Sequence, residues 1–167
     1  GLAAGNEQGV QGILLYLTIY LFMNMGTFAC ILAMRRQGRM VEDIDQLAGL
    51  SKTNPYLAAA LGIFMFSMAG IPPLAGFFAK FYVFLAAIEA GLYVLTVVGL
   101  LTSVVGAYYY LRIVKLMYFD EPAEAFDRAP GREITVIVTV TGLITMFFFI
   151  GLAPVLDGAE AAAAVLF

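Results

Sequence analysis

Lys80 is the residue whose type and position together point to chemistry. It lies seven residues after Pro73, in an apolar stretch that includes Gly76, Phe77, Phe78, Phe81, Val83 and Phe84. At 1.5 Å per helical residue it sits about 10 Å along that stretch. A charged lysine in the middle of a hydrocarbon layer costs at least about 2.5–3.5 kcal/mol on insertion scales, and intramembrane charges are as a rule functional. An ammonium in a dry site suits a carrier of protons or ions, because an amine can release and regain a proton. Two plainer readings stand beside this one: a lysine that snorkels to the interface, and a structural ion pair inside a bundle. A side chain of about 6 Å reaches water poorly from that depth.

Other polar residues could complete a path. Tyr16, Tyr20, Asn24 and Thr27 recur at i, i+4, i+8 and i+11 and form one stripe on a helix, with Asn24 central. The stripe can line a hydrated path or simply bond neighbouring helices. The hydroxyls of Ser67 and Thr102 are further candidates. Thr102, Gly106 and Tyr109 share one helical face; Ser103, Gly106 and Tyr110 share the adjacent one. Tyr108, Tyr109 and Tyr110 fit an interfacial aromatic belt, and Arg112 and Lys115 fit snorkelled anchors. Lys115 turned inward would instead relay protons. Glu89, near a helix end, reads as exposed. Cys30 reads as a small buried residue on a packing face.

Much else is excluded. The chain has no histidine and one cysteine, which removes internal disulfides, Cys-ligated iron–sulfur clusters, ordinary zinc sites and Ser-His-Asp or Cys-His catalysis. A formal net charge of −3 gives no footprint for nucleic acid. No phosphate-cradling glycine loop is present. Lysines, carboxylates, hydroxyls, tyrosines and backbone remain.

These groups must be positioned by membrane helices. Of 167 residues, 62% are hydrophobic and 13% charged, and the mean hydropathy is +0.93. Soluble domains run at about 45–50% and about 25%. A span needs about 20 apolar residues. The sequence predicts an all-α integral membrane protein with five spans, at about 12–34, 55–70, 73–90, 92–119 and 134–156, in a single membrane domain over 1–167. Residues 55–90 as one helix would reach roughly 54 Å, too long for a bilayer, so Gly70-Ile71-Pro72-Pro73 is read as a tight turn between separate spans. Residues 37–54 suit a short amphipathic surface helix or helical turn, with Met40, Val41, Ile44, Leu47 and Ala48 at helical spacing. Residues 120–133, with Pro122, Pro130 and Gly131, read as a loop, and the tail after Pro154 as a frayed helix. Five spans put the loop with Arg35, Arg36, Arg39 and Lys52 and the loop with Arg128 and Arg132 on opposite sides, so the positive-inside rule gives a near tie. Gly1 in place of a start methionine points to a processed chain or a piece of a longer one.

Two blocks carry a family resemblance. One is Phe66-Ser67-Met68-Ala69-Gly70-Ile71-Pro72-Pro73-Leu74-Ala75-Gly76-Phe77-Phe78-Ala79-Lys80-Phe81-Tyr82-Val83-Phe84. The other is Tyr108-Tyr109-Tyr110-Leu111-Arg112-Ile113-Val114-Lys115 with Met117-Tyr118-Phe119. Over nearly the whole chain the sequence resembles the subunit N family of bacterial NADH:quinone oxidoreductase, respiratory complex I, whose mitochondrial counterpart is NADH dehydrogenase subunit 2. The resemblance implies an antiporter-like, inverted-repeat fold matched here at its C-terminal end, in a bacterial inner membrane. It implies that Lys80 carries protons on a discontinuous helix, broken near Gly76, Pro72 and Pro73, in the second half-channel. The family's first-repeat lysines and glutamate fall outside this chain. Neighbouring antiporter-like subunits would be the partners, and NADH, FMN, iron–sulfur clusters and quinone would bind other subunits. The family topology further implies that the loop after the fourth span faces the cytoplasm and the loop after the first the periplasm. A multi-subunit cation/proton antiporter and a non-pumping scaffold are the alternatives.

Overall fold

The computed structural model describes residues 1–127 and 131–166. Its elements are α1 (Glu7–Ala33), a hairpin of β1 (Arg35–Arg36) and β2 (Arg39–Met40), α2 (Leu50–Thr53), α3 (Pro55–Ala69), α4 (Ala75–Glu89), α5 (Tyr93–Phe119), α6 (Arg132–Phe147) and α7 (Leu152–Ala164). Caps set two of the starts. The Asn6 side chain accepts from Gly9 N at 2.8 Å to open α1, and Asn54 accepts from Leu57 N at 3.1 Å, with Pro55 following, to open α3. Among the described residues, three segments are long and apolar enough to cross a membrane: α1, α5 and Arg132–Ile150. At 15 residues each, α3 and α4 reach only about 22 Å, short of a hydrocarbon core of about 30 Å.

Packing along α1 shows what α3 and α4 are. Gly26 lies against the Phe64 ring on α3, Met23 contacts Ser67 near the end of α3, and Gly12 meets the backbone of Tyr82 and Val83 on α4. Moving back along α1 thus passes along α3 and then α4. The same order holds on α5, where Gly99 faces Phe84, Ser103 bonds Lys80 and Gly62 faces Tyr118. The two short helices are therefore halves of one crossing, antiparallel to α1 and α5, and not the separate spans 55–70 and 73–90 expected from the sequence.

The length objection fails because the halves overlap. A Cβ on Gly76 would lie 2.0 Å from Ser67 O, so the first turn of α4 runs beside the last turn of α3. From Pro55 to Ser67 and from Gly76 to Glu89 the two halves add to roughly 38 Å, close to the roughly 40 Å of α1. The break itself is Gly70–Leu74, which contains a cis Pro72–Pro73 bond. Gly70 ends α3 at φ 89°, a left-handed conformation that glycine adopts freely. Pro72 and Pro73 lie in this break. Gly76 does not: it lies inside α4, which is regular from Ala75 to Glu89.

One side of the bundle carries a structured cap. Gly49 N donates to Leu116 O at 3.0 Å, Ala123 N to Ala48 O at 2.9 Å and Asp127 N to Arg35 O at 2.7 Å. The α1–α3 and α5–α6 connections thus meet at one end of the bundle, whereas five separate spans would place them at opposite ends. The expected helical pattern over 37–54 shrinks to a 3-10 turn at Ile44–Leu47 and the single turn of α2. Its first part is a hairpin instead, because Gln37 and Gly38 sit at φ 52° and 75°, as a two-residue type I′ turn requires. Residues 120–127 form no regular element, and α6 starts at Arg132. The Arg128 and Pro130 of the expected loop lie outside the described residues.

The expected span 134–156 is interrupted. A 3-10 turn at Phe148–Ile150 and Gly151 separate α6 from α7. Residues Leu152, Val155 and Leu156 of α7 pack on the Leu15 and Ile19 cluster, so the tail is an ordered helix. A second cluster nearer the cap joins Cys30, Ala33, Leu50, Leu57, Phe64, Met117 and Val138. Most of α5 away from the cap is exposed, as in Val94, Val98, Leu101 and Val105.

Candidate functional site

Lys80 lies in the second turn of α4, beside the broken end of α3, and is half-buried. Its Nζ donates to Met68 O at 2.9 Å, Ala69 O at 3.2 Å and Ser103 Oγ at 2.8 Å. All three ammonium donors are thereby used. The two carbonyls exist as acceptors because α3 stops at Gly70 and its last turn has no further helical N–H to receive. The ammonium also sits at the negative end of the α3 dipole, which favours a cation. No carboxylate lies within ion-pair distance of Lys80 among the described residues, whose ion pairs are Arg36–Glu124, Lys52–Glu121 and Lys115–Asp120. The site therefore holds its cation with three neutral oxygens.

Ser67 and Gly76 fix this geometry. The fully buried Ser67 hydroxyl accepts from Gly76 N at 2.9 Å and lies 2.9 Å from Met23 Sδ. It thus satisfies an N–H that the start of α4 leaves free. The absence of a side chain on Gly76 lets the two half-helices touch, and this contact places Lys80 one turn beyond it. Ser67 is a fastener of the break, whatever else it does.

A cavity of about 370 Å³ opens beside Lys80 between α1 and α5. Of the expected path residues, Asn24, Ser67 and Thr102 line it, together with Tyr16 and Tyr20 of the α1 stripe. Asn24 donates to Tyr20 O at 2.8 Å and Thr102 to Gly99 O at 2.9 Å. Thr27 donates to Met23 O at 2.8 Å and lines a neighbouring cavity instead. Two expected residues point elsewhere. Tyr109 is 60% exposed on the outer face of α5, edge-on to Tyr108, and the neighbouring Tyr110 lines the cavity in its place. Lys115 is exposed and bonds Asp120 Oδ1 at 2.5 Å, so it closes the end of α5 and does not turn inward. Sequence reasoning left unassigned the two α3 carbonyls and Ser103, although Ser103 sat on a recognised face of α5. No group of His, Cys, Asp or Glu suited to a metal exists among the described residues.

A multi-pass helical membrane protein, with a half-buried lysine at the break of a discontinuous helix, is the class that fold and site define. The family described as NADH:quinone oxidoreductase/Mrp antiporter, TM, matches residues 1–106, and the chain belongs to that family. It is 60% identical over 167 residues to NADH-quinone oxidoreductase subunit N of Paramagnetospirillum magneticum, covering 100% of this chain and 34% of that protein. It is 64% identical to the subunit N of Azorhizobium caulinodans, covering 100% of this chain and 35% of that protein. A chain of the Thermus thermophilus respiratory complex I with bound aureothin is similar at 30% identity and a TM-score of 0.76, over 89% of this chain and 34% of that one. The chain thus spans about a third of the length of the relatives it matches. Helices and family together place it in the bacterial inner membrane.

Proposed function

We propose that this chain is proton-translocating machinery of a respiratory NADH:quinone oxidoreductase, with Lys80 as the proton carrier of a half-channel. The observation that carries the reading is the neutral ligand set of Lys80: two carbonyls of a broken helix and one hydroxyl. A lysine paired with a buried carboxylate is held charged by it, and loss of its proton would strand that charge. A lysine held by neutral dipoles can lose its proton without stranding a partner. Its charge state then answers to fields from elsewhere in the assembly. Broken helices supply such sites for transported cations.

In this reading a proton enters by water to the Lys80 amine and leaves when a charge change in a neighbouring antiporter-like subunit disfavours the ammonium. NADH, FMN, the iron–sulfur clusters and quinone belong to other subunits. The larger protein would contribute its remaining helices as the other half of an inverted-repeat fold.

The test compares Lys80→Ala and Lys80→Arg in the whole complex. Because the alanine change leaves no buried counter-charge behind, the complex assembles and still oxidises NADH with artificial acceptors. Quinone-linked turnover and pumping in vesicles fall together. Arginine keeps the charge but has a pKa above about 12, so it resembles alanine if titration matters and wild type if only charge matters. Full pumping by the alanine variant refutes the proposal.

A second reading has one observation in its favour: three neutral oxygens also suit a small metal cation. Sodium-dependent proton flux in vesicles would mark the chain as part of a cation/proton antiporter.

A further inference from the structure

We infer that the groove between α3 and α6 is a binding site for a phospholipid of the surrounding bilayer, with one acyl chain lying in the groove and the phosphate meeting Arg132. The inference is independent of the role of Lys80. The groove measures about 160 Å³ and is walled by Ala59, Ala60 and Ile63 of α3 and by Gly142, Leu143 and Met146 of α6. It exists because small residues face each other there: Ala59 and Ala60 on one side and Gly142 on the other leave a trough between two packed helices. Its polar end lies toward the cap, where Tyr56 stands at the start of α3 and Thr139 in the first half of α6.

Nothing in this groove asks for water or for a protein partner. The Thr139 hydroxyl donates to Thr135 O at 2.7 Å, and the Tyr56 hydroxyl lies 2.9 Å from Thr139 Oγ1 and 3.2 Å from Thr135 O. Both hydroxyl protons are thereby spent within the protein, and the remaining wall is apolar. A surface facing hydrocarbon must satisfy its polar groups in this way. The groove of about 440 Å³ between α4 and α5 is the contrary case. It is lined by Lys80 and by the broken backbone at Ala69 and Gly70, and such groups sit at membrane depth inside protein or beside water. Lipid therefore suits the α3–α6 groove and not the α4–α5 one.

The mouth of the groove supplies the charge. Arg132, Thr135, Thr139, Gly142 and Met146 recur at i, i+3, i+7, i+10 and i+14, so the first residue of α6 stands on the groove face. Arg132 is exposed and takes part in none of the ion pairs of the described residues. Glu133 falls on another face, and its carboxylate lies over Gly131. Lys52, four residues before Tyr56, adds a second exposed cation, whose 3.9 Å contact with Glu121 is a weak surface pair. Seven residues separate Arg132 from Thr139 and seven more reach Met146, about 10 Å for each interval. A phosphate at Arg132 therefore leaves the first interval to glycerol and ester groups and the second to an acyl chain. Basic residues beside clefts between membrane helices hold lipid head groups in this manner.

The test reconstitutes the whole complex in vesicles with a trace of one of two probes. One is phosphatidylglycerol with a photoactivatable diazirine in its acyl chain; the other is the matching diacylglycerol, which lacks the phosphate. The phosphatidylglycerol should label Ala59, Leu143 and Met146 severalfold more than the diacylglycerol does. Val140, exposed on a face of α6 turned away from the groove, should take both alike. Arg132→Ala should remove the preference and Arg132→Lys retain it. Ala59→Phe, at an exposed position, should fill the groove and exclude both probes. Equal labelling of groove and Val140 by both probes would mean ordinary annular lipid and overturn the site. No labelling of the groove by either probe, which would mean that protein covers it, overturns it as well. A preference unchanged in Arg132→Ala overturns the phosphate contact.

Discussion

At the scale of single residues, the fastening of the helix break is the feature most open to test. Ser67→Ala leaves Gly76 N–H without a partner in a fully buried place. Losing one partner of a buried pair costs about 1–3 kcal/mol, more than the net worth of the bond. Gly76→Ala is harsher in kind, because its Cβ would lie 2.0 Å from a backbone oxygen that no rotamer change can move. The half-helices must separate, and overpacking of this sort costs typically about 1–3 kcal/mol, occasionally more. Both variants should lower the melting temperature of the purified complex, with Gly76→Ala the worse. A Gly76→Ala complex as heat-stable as the parent would show that the close crossing is not required. Lys80 was legible in the sequence because a cation in an apolar run stands out. Its ligands were not. Two are backbone carbonyls, which carry no residue signature. Ser103 and Tyr110 were passed over for Thr102 and Tyr109 because the polar residues of α5 fall on two adjacent faces and single out neither. Nothing in such a helix fixes its rotation to within the 100° that separates neighbouring residues.

At the scale of elements, the cap is where charge does structural work. The Asp127 carboxylate accepts from Gln37 N at 2.9 Å and Gly38 N at 2.8 Å at the hairpin tip. Arg36 reaches the Gln46 side chain at 2.6 Å, bonds Glu124 O, and stacks over Phe126 with 5.6 Å to the ring centroid. The Gly38 and Gln37 amides hold the Asp127 carboxyl below its usual range, although it lies at the surface. A carboxyl whose folded pKa is depressed stabilises the folded form above the unfolded pKa, near 3.9, and that contribution is lost as pH falls through the folded value. The hairpin contact should therefore be steady from pH 7 to about pH 4 and weaken below it. Amide exchange at Gln37 and Gly38, corrected for intrinsic pH dependence, should show protection falling only in that acid window. Asp127→Asn should remove the step, and a step persisting in that variant would assign it to another group. The sequence concealed this hairpin because Met40, Val41, Ile44 and Leu47 mimic helical spacing. The positive φ of Gln37 and Gly38 overrides that pattern.

At the scale of the whole molecule, reading α3 and α4 as one crossing changes the topology, and the charges agree with the change. Length counting separated them because an unbroken 55–90 helix is too long for a bilayer. It could not anticipate that Gly76 lets the halves overlap by a turn. With one crossing in two halves, α1 and α5 both end at the cap, and Arg35, Arg36, Arg39, Lys52, Lys115 and Arg132 all gather there, with Arg112 two turns from the end of α5. The opposite ends of α1 and α4 carry Glu7 and Glu89 and no cation. Lysine and arginine in short loops select the cytoplasmic side, so the near tie of the five-span reading becomes one-sided and the rule predicts a cytoplasmic cap. Single cysteines at exposed positions decide between the two arrangements. Met40→Cys sits in the α1–α3 connection, Glu121→Cys in the α5–α6 connection and Glu89→Cys at the far end of α4; the native Cys30 is buried and silent. An impermeant thiol reagent should label Met40→Cys and Glu121→Cys together in inverted vesicles and Glu89→Cys only in right-side-out ones. Five separate spans would instead place Met40→Cys and Glu121→Cys on opposite sides.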